Sequence, residues 1–321
     1  MNTEAAQQIA HKLRQARRVL LIPGTNPDGD SLGSVCAVFG YLKRQDIPVE
    51  IFCPAPVPSN LQFLPYADRI TNDERAFENA DVVMVFDAGD LRYAGIAERL
   101  PKMSARPFII NIDHHASNEY YGDINLVVKD AAATTEVLYA FFTALGVSPD
   151  PDMATCLLTG IITDTDYFSN AATTGSAMAT ASELIARGAR LHAIREHTLN
   201  NKPVALLKLW GITLARLYYQ PTHRSAITYV FQKDYEHFGL DEADVYGIAN
   251  FLNRLGEGNY SLFLKETTDG HVKGSLRTTR DDVDVSAIAK RFGGGGHQKA
   301  AGFKVPGRLT ETERGVKIVQ N

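Results

Sequence analysis

Four short, largely apolar runs fall in the first third of the chain: 18–23, 49–53, 82–86 and 108–112. Each is too short for an ordinary helix. Most carry apolar residues at odd and even positions alike, so as strands they must bury both faces. Stretches with helical periodicity, 4–17 and 31–44, lie between or before them. Apolar strands alternating with helices predict an α/β fold, a mostly parallel sheet flanked by helices. The loops that follow such strands gather along one edge, where ligands of open α/β sheets bind.

Beyond residue 130 the pattern turns helical, at 131–145, 152–163 and 175–187. Strands return at 215–219, 225–231, 260–266 and 272–276, followed by a helix at 284–292. The expected organisation is a catalytic metal-binding domain at 1–190, a helical linker at 191–215 and a smaller α/β substrate-binding domain at 216–310. The 321 residues, 45% apolar and 22% charged, suffice for two domains with a sizeable core. Cys36, Cys53 and Cys156 sit in apolar surroundings without paired spacing and read as small core residues in a reducing compartment. The first apolar run is too short for a signal peptide, and no run approaches the roughly 18 apolar residues of a membrane span. A cytoplasmic protein is expected, with no membrane partner. A formal net charge of -4 argues against coating long nucleic acid by charge alone. Residues 265–304 nevertheless hold eight Lys/Arg against five Asp/Glu, which suits a bound polyanion as well as an ordinary surface.

Metal-binding side chains follow the buried strands. Asn26-Pro-Asp28-Gly-Asp30-Ser31 follows the first and sets two carboxylates on a tight loop that opens a helix. Asp87-Ala-Gly-Asp90 follows 82–86. Asp113-His114-His115 follows 108–112, and Asp164 ends the apolar helix 152–163. Each acidic position alone also fits a turn or a helix cap. Together they offer several carboxylates and one or two imidazoles from separate elements. That oxygen-rich set suits manganese or a similar divalent ion. Two such ions about 3.5–4 Å apart activate water for in-line attack on phosphorus.

These residues resemble the motifs of the DHH phosphoesterase family. Asn26–Ser34 looks like its first motif, Asp87–Asp90 its second, Asn111–Asn118 its third and Thr159–Thr165 its fourth, in order and with similar spacing. Gly274-Ser-Leu-Arg277 and Phe292-Gly-Gly-Gly-Gly-His297, with Ala-Ala-Gly-Phe303 after it, resemble the DHH-associated substrate-binding domain. Ala131–Glu136 resembles the start of a helix near the active site. The combination is similar to bacterial and archaeal enzymes that degrade very short oligonucleotides, many of which also dephosphorylate phosphoadenosine phosphate.

The resemblance implies two metal ions, manganese first, with cobalt or magnesium as alternatives. Asp30, Asp87, His114 and Asp164 would hold one, and Asp28 and Asp87 the other. His115 would contact the scissile phosphate, and Asp113 would orient the histidine pair. Arg277, Gly294, Gly295, Gly296 and His297 would bind substrate, a short single-stranded oligonucleotide or a nucleotide. Many relatives dimerise, so a homodimer is compatible. The family's first motif usually carries a histidine where this chain has Gly24, and glycine offers no side-chain ligand. Asp166 stands where relatives often have glycine, and reads as a solvent-facing residue or a replacement ligand. The competing readings are a linear or cyclic dinucleotide phosphodiesterase, a single-strand exonuclease, a pyrophosphate or polyphosphate hydrolase, and a nucleotide-binding protein with a degenerate metal site.

Overall fold

The computed structural model describes residues 3–199, 202–253, 255–313 and 315–319. The chain divides into two compact units, Met1–Asn201 and Lys202–Asn321. The division lies inside the stretch read from sequence as a helical connector.

The first unit contains α1 (Thr3–Gln15), β1 (Val19–Ile22), α2 (Gly29–Arg44), β2 (Val49–Phe52), β3 (Ile70–Thr71), β4 (Val82–Phe86), β5 (Phe108–Asp113) and β6 (Ile124–Val127). Four helices follow: α3 (Thr134–Ala144), α4 (Pro151–Asp164), α5 (Gly175–Ala186) and α6 (Leu191–Thr198). The strands form one sheet in the order β3-β2-β1-β4-β5-β6, and every neighbouring pair is parallel. The α/β fold expected from the sequence is therefore the observed one.

The apolar strands behave as the two-faced pattern requires. Val19, Leu21, Val82, Met84 and Phe86 point into a core shared with the helices. Leu20, Ile22, Val83 and Val85 point the other way, against Phe77, Ala94 and Ile96 of the irregular connections. Phe86 is fully buried; its truncation to Ala would cost about 3–5 kcal/mol. Cys36, Cys53 and Cys156 are buried and free. The sheet order reverses between β1 and β4, so the loops leaving these adjacent strands diverge and open a crevice at their carboxyl ends.

The second unit contains α7 (Val204–Ala215), β7 (Tyr218–Gln220), β8 (Ser225–Val230), α8 (Gln232–His237), α9 (Ile248–Leu252), β9 (Tyr260–Glu266), β10 (His271–Arg277), α10 (Val285–Lys290), β11 (Gly295–Gly296), β12 (Ala300–Pro306), β13 (Arg308–Thr312) and β14 (Gly315–Val319). Its main sheet runs β11-β12-β10-β9-β8-β7; the pairing is antiparallel except between β8 and β9. Strands β13 and β14 form a separate hairpin. One core joins Leu264, Val272, Leu276 and Phe303 to Val285 and Ala289 of α10. The other joins Phe263 and Val230 to Leu206 and Leu209 of α7 and to Ile248 and Leu252 of α9. Helix α7 thus packs into the second unit, and Ala215 ends it rather than starting a strand. Among the described residues, no helix is long and apolar enough to cross a membrane.

Candidate functional site

The crevice is lined by the ends of three strands and by three helix termini. Asp28 is the N-cap of α2: its Oδ1 accepts from the amides of Asp30 and Ser31 at 3.1 and 2.9 Å and from Ser31 Oγ at 2.9 Å. Two residues further in, Asp30 is completely buried. Its carboxylate meets the N-terminus of α3, where Thr134 N donates to Oδ2 at 2.6 Å and Thr135 N to Oδ1 at 2.9 Å. Thr135 Oγ1 adds a third bond at 2.7 Å. Unpaired amides and the helix dipole both favour a negative charge there. Burial still raises the Asp30 carboxyl, against the opposing pull of His114.

This arrangement depends on close approach. A Cβ on Gly160 would lie 2.2 Å from Thr135 Oγ1 and 2.4 Å from Asp30 Oδ1. A Cβ on Gly33 would lie 2.5 Å from the Cys156 carbonyl. Glycine at these two positions lets α2, α3 and α4 converge behind the carboxylates.

Asp87 leaves β4 with φ at +55°, a left-handed conformation that Asp tolerates better than most residues. Its Oδ1 accepts from Thr134 Oγ1 at 3.1 Å. Burial, then the charges of Asp30, Asp28, Asp164 and Asp113, hold its carboxyl well above the usual range. Burial, then Asp30, Asp28 and Asp113, does the same to Asp164 at the end of α4, though a quarter of that side chain reaches solvent.

The histidines supply the decisive geometry. His114 Nδ1 lies 3.1 Å from the Ala131 carbonyl. A carbonyl only accepts, so this nitrogen carries the proton. The other nitrogen, Nε2, lies 3.3 Å from Asp164 Oδ2 and 3.6 Å from Asp87 Oδ1. In the neutral ring this nitrogen is a donor atom to a metal, and a divalent cation placed among it and the two carboxylate oxygens would satisfy all three. His115 Nδ1 donates to Asp113 Oδ1 at 2.7 Å and lies 3.5 Å from Asp87 Oδ1. Burial opposes a charge on His115, but Asp113 and the surrounding carboxylates outweigh it and raise the imidazole.

Asp113 is itself fixed. It is buried, opposing its charge, yet it accepts from His115, Asn118 and two backbone amides, which together pull its carboxyl down. Asn118 in turn bonds Asn111 and the Ala88 carbonyl. The ring nitrogens and carboxylates gather into two sets, Asp87–His114–His115 and Asp30–His114–Asp164, each with atoms within 4.8 Å. Asp28 belongs to neither set, although its charge is felt by Asp30, Asp87 and Asp164.

Asp90 is a turn residue: its Oδ1 accepts from the amides of Arg92 and Tyr93. Tyr93 is a residue that sequence reasoning missed, since no pattern marks it. Its backbone carbonyl accepts from Thr25 N at 3.0 Å, and its ring covers Gly24. A Cβ at Gly24 would meet Tyr93 Cε1 at 2.9 Å. Asp166 accepts from Ser169 Oγ at 3.2 Å and joins neither ligand set. It opens three consecutive left-handed residues, Asp166, Tyr167 and Phe168.

In the second unit, Arg277 Nε donates to Asn250 Oδ1 at 3.0 Å on the face of β10. Gly294 passes against the backbone of β12, where a Cβ would lie 2.1 Å from the Gly302 carbonyl. Gly295 and Gly296 form β11 and pair with Gly302 and Ala301. His297 closes the turn into β12, its amide donating to Ala300 O at 2.8 Å.

Residues 18–161 match the DHH family N-terminal domain, and residues 224–320 match the DHHA1 domain. The bifunctional oligoribonuclease and PAP phosphatase NrnA of Thermus thermophilus is 31% identical over 286 residues, covering 88% of this chain and 82% of that protein. This chain belongs to the DHH family. The Bacillus subtilis protein of the same name is 24% identical and is covered over 89% of its length. An exopolyphosphatase-related protein from Bacteroides fragilis shares the fold, with a TM-score of 0.86 at 23% identity over 94% of this chain and 90% of that one. As a DHH-family phosphoesterase the chain is a metal-dependent hydrolase, and the donor set around His114 fits a divalent cation.

Proposed function

We propose that this DHH-family phosphoesterase hydrolyses very short single-stranded oligoribonucleotides and removes a phosphate from nucleoside 3′,5′-bisphosphates, with manganese as its metal. The observation that carries the metal-dependent reading is His114 Nε2 held between Asp87 Oδ1 and Asp164 Oδ2. The substrate class is supported by the oligoribonuclease relatives, which match along most of the chain.

In this reading Asp30, Asp87, His114 and Asp164 hold one ion, and Asp28 and Asp87 hold a second. The second oxygen of Asp28 remains for that role, since the hydrogen bonds to its carboxylate fall on Oδ1. The bound metal supplies a water activated near neutral pH and neutralises charge on the phosphoryl oxygens. The chain's own groups do the rest. Thr134 and Thr135 hold Asp30 and Asp87 in place. The Ala131 carbonyl fixes the tautomer of His114. Asp113 orients His115 and favours its protonated form, so in this reading His115 would donate to the scissile phosphate or protonate the departing oxygen. The amides and hydroxyls around Asp30 and Asp113 already hold these carboxylates in place before any metal or substrate is bound, as a pre-organised site requires.

The catalytic part, read from the sequence as 1–190, corresponds in this reading to the first unit, and the substrate-binding part, read as 216–310, to the second; of the stretch 191–215, α6 packs with the first unit and α7 with the second. Arg277 offers a fork to phosphate, and Gly294, Gly295, Gly296 and His297 offer backbone and imidazole contacts. A cytoplasmic location and a homodimer are compatible with this reading. The test is a manganese-dependent assay on an RNA ladder of two to about twenty nucleotides, with phosphoadenosine phosphate alongside. Preferential loss of the shortest species is expected. Steady shortening of long strands would instead favour an exonuclease, and nucleotide binding without turnover would sink the hydrolase reading.

A further inference from the structure

Three lysines cross one face of the second sheet in a row. Lys273 of β10 is the direct cross-strand partner of Lys265 on β9 and of Lys304 on β12. Direct partners leave a sheet on the same face, and like charges so placed destabilise it. The row therefore costs folding stability.

The outer two lysines are offset by neighbours. Lys265 Nζ donates to the Glu242 carbonyl at 2.8 Å, with the Glu242 carboxylate at 3.8 Å. Lys304 donates to Asp269 at 2.6 Å. Lys273 stands between them, exposed, with no hydrogen bond or ion pair among the described residues. Burial holds the Lys265 ammonium below its usual range; Glu242 opposes this and Lys273 adds to it. Lys273 also borders two cavities. Tyr246, Asn250, Ser275 and Arg277 line one of about 190 Å³. Gly294, Gly302 and Lys304 line another of about 350 Å³.

We propose that Lys273, flanked by Lys265 and Lys304, holds an oligonucleotide backbone phosphate distinct from the one taken by Arg277, so that this face reads chain length. The inference rests on the oligonucleotide reading above. Lys273, Ser275 and Arg277 alternate along one strand face, so Lys273 and Arg277 are about 13 Å apart along β10. A stacked strand advances roughly 3.4 Å per nucleotide. A dinucleotide seated on Arg277 falls short of Lys273, whereas a pentanucleotide spans both.

The test is fluorescence polarisation of the full chain in EDTA with labelled, 5′-phosphorylated di- and pentauridylate. Lys273→Gln is expected to weaken pentanucleotide binding about fivefold and to leave the dinucleotide unchanged. The slope of log affinity against log salt for the pentanucleotide should fall by about 0.7, the share of one phosphate contact on a single strand. Lys317→Gln, an equal charge change on exposed β14, should alter neither. Removing a like charge should leave the melting temperature equal or higher, so a folding defect would not mimic the effect. Equal weakening at both lengths, or none for the pentanucleotide, overturns the proposal. Manganese-dependent turnover of the dinucleotide by the wild type is measured in parallel. Wild type that binds by length but cleaves nothing sinks the hydrolase reading alone, and wild type that cleaves while Lys273→Gln binds normally sinks the length reading alone.

Discussion

Asp30, Asp87, His114 and Asp164 are ionisable groups drawn out of water beside one another, whereas Lys265, Lys273 and Lys304 stand in a row on a sheet face. The first unit offsets its like charges with fixed donors: two amides and a hydroxyl on Asp30, another hydroxyl on Asp87. The second has nearby carboxylates for its outer lysines. The difference is one of medium. Buried charges interact through a low dielectric and are little screened, while exposed ones lose their reach over about 8 Å at physiological salt. Changes in the acidic crevice should therefore be large and salt-insensitive, and changes on the lysine row small and salt-sensitive.

The sharpest attempt to break this contrast is Asp87→Asn. Asparagine accepts the +55° φ of this position, so the backbone is kept and only the charge is lost. Manganese-dependent turnover should fall by more than about a hundredfold. In EDTA the variant should melt higher than wild type, because one of five mutually repelling carboxylates is gone. A variant that retains turnover would show that the crevice is not the catalytic centre.

Metal addition comes next. A divalent ion at a hundred times its dissociation constant should stabilise the first unit by about 2.7 kcal/mol, measured by calorimetry. The single tryptophan, Trp210, lies in the second unit, and its fluorescence reports that unit directly. If the two units are energetically separate, the tryptophan transition stays in place while the other moves. The pH dependence has a definite sign. Asp87 and Asp164 are held well above the usual carboxyl range by burial and by their acidic neighbours. The metal-free fold therefore binds these protons more tightly than the unfolded chain does. That contribution is fully present below the ordinary carboxyl value near about 4 and is lost as pH climbs through the raised folded values. Metal-free protein should be less stable at pH 7 than at pH 5, and the gain from metal should grow over that interval. Equal stability in EDTA at both pH values would contradict the buried-acid description.

The strands are legible in the sequence because a short, largely apolar run set between helical stretches has few physical solutions, and the Asp and His residues directly after β4 and within and after β5 mark the site edge. Strands β1, β2, β4 and β5 were readable for that reason. The two-residue β3 and the partly exposed β6 were not, since neither carries enough apolar residues to stand out. The hairpin of β13 and β14 was missed because its alternation is diluted by Glu311, Thr312 and Lys317. The acidic and histidine positions were visible as candidates, but not their division of labour. That Asp28 caps α2 while Asp30 is bound by α3 depends on a contact more than 100 residues away. Tyr93 was invisible for the same reason: its place over Gly24 is a tertiary fact with no local spacing behind it.

Gly160→Ala probes the support behind the carboxylates at a smaller scale. The added methyl would overlap Thr135 Oγ1 and Asp30 Oδ1, and overpacking of this kind costs about 1–3 kcal/mol. Chemical denaturation should register that loss in the first unit. Manganese affinity, read by equilibrium dialysis, should weaken as Asp30 shifts. An unchanged affinity alongside reduced stability would mean that the α3 contact supports the fold without setting the site.

The smallest effect concerns the position where the family usually carries a histidine. Tyr93 fills the space beside Gly24, so Gly24→His alone should be destabilising by about 1–3 kcal/mol through overlap with the ring. Tyr93→Ala alone should lose ring packing against Gly24, with a modest drop in melting temperature. Combined, the two changes open the space and restore an imidazole, so they should be less harmful together than their sum. If the restored imidazole serves as a ligand, the double variant should bind added manganese more tightly than wild type, measured by equilibrium dialysis rather than by activity. A negative coupling in stability together with a gain in metal affinity would mean that Tyr93 and the histidine are alternative fillings of one position. Strict additivity would mean that Tyr93 packs on Gly24 without standing in for a ligand.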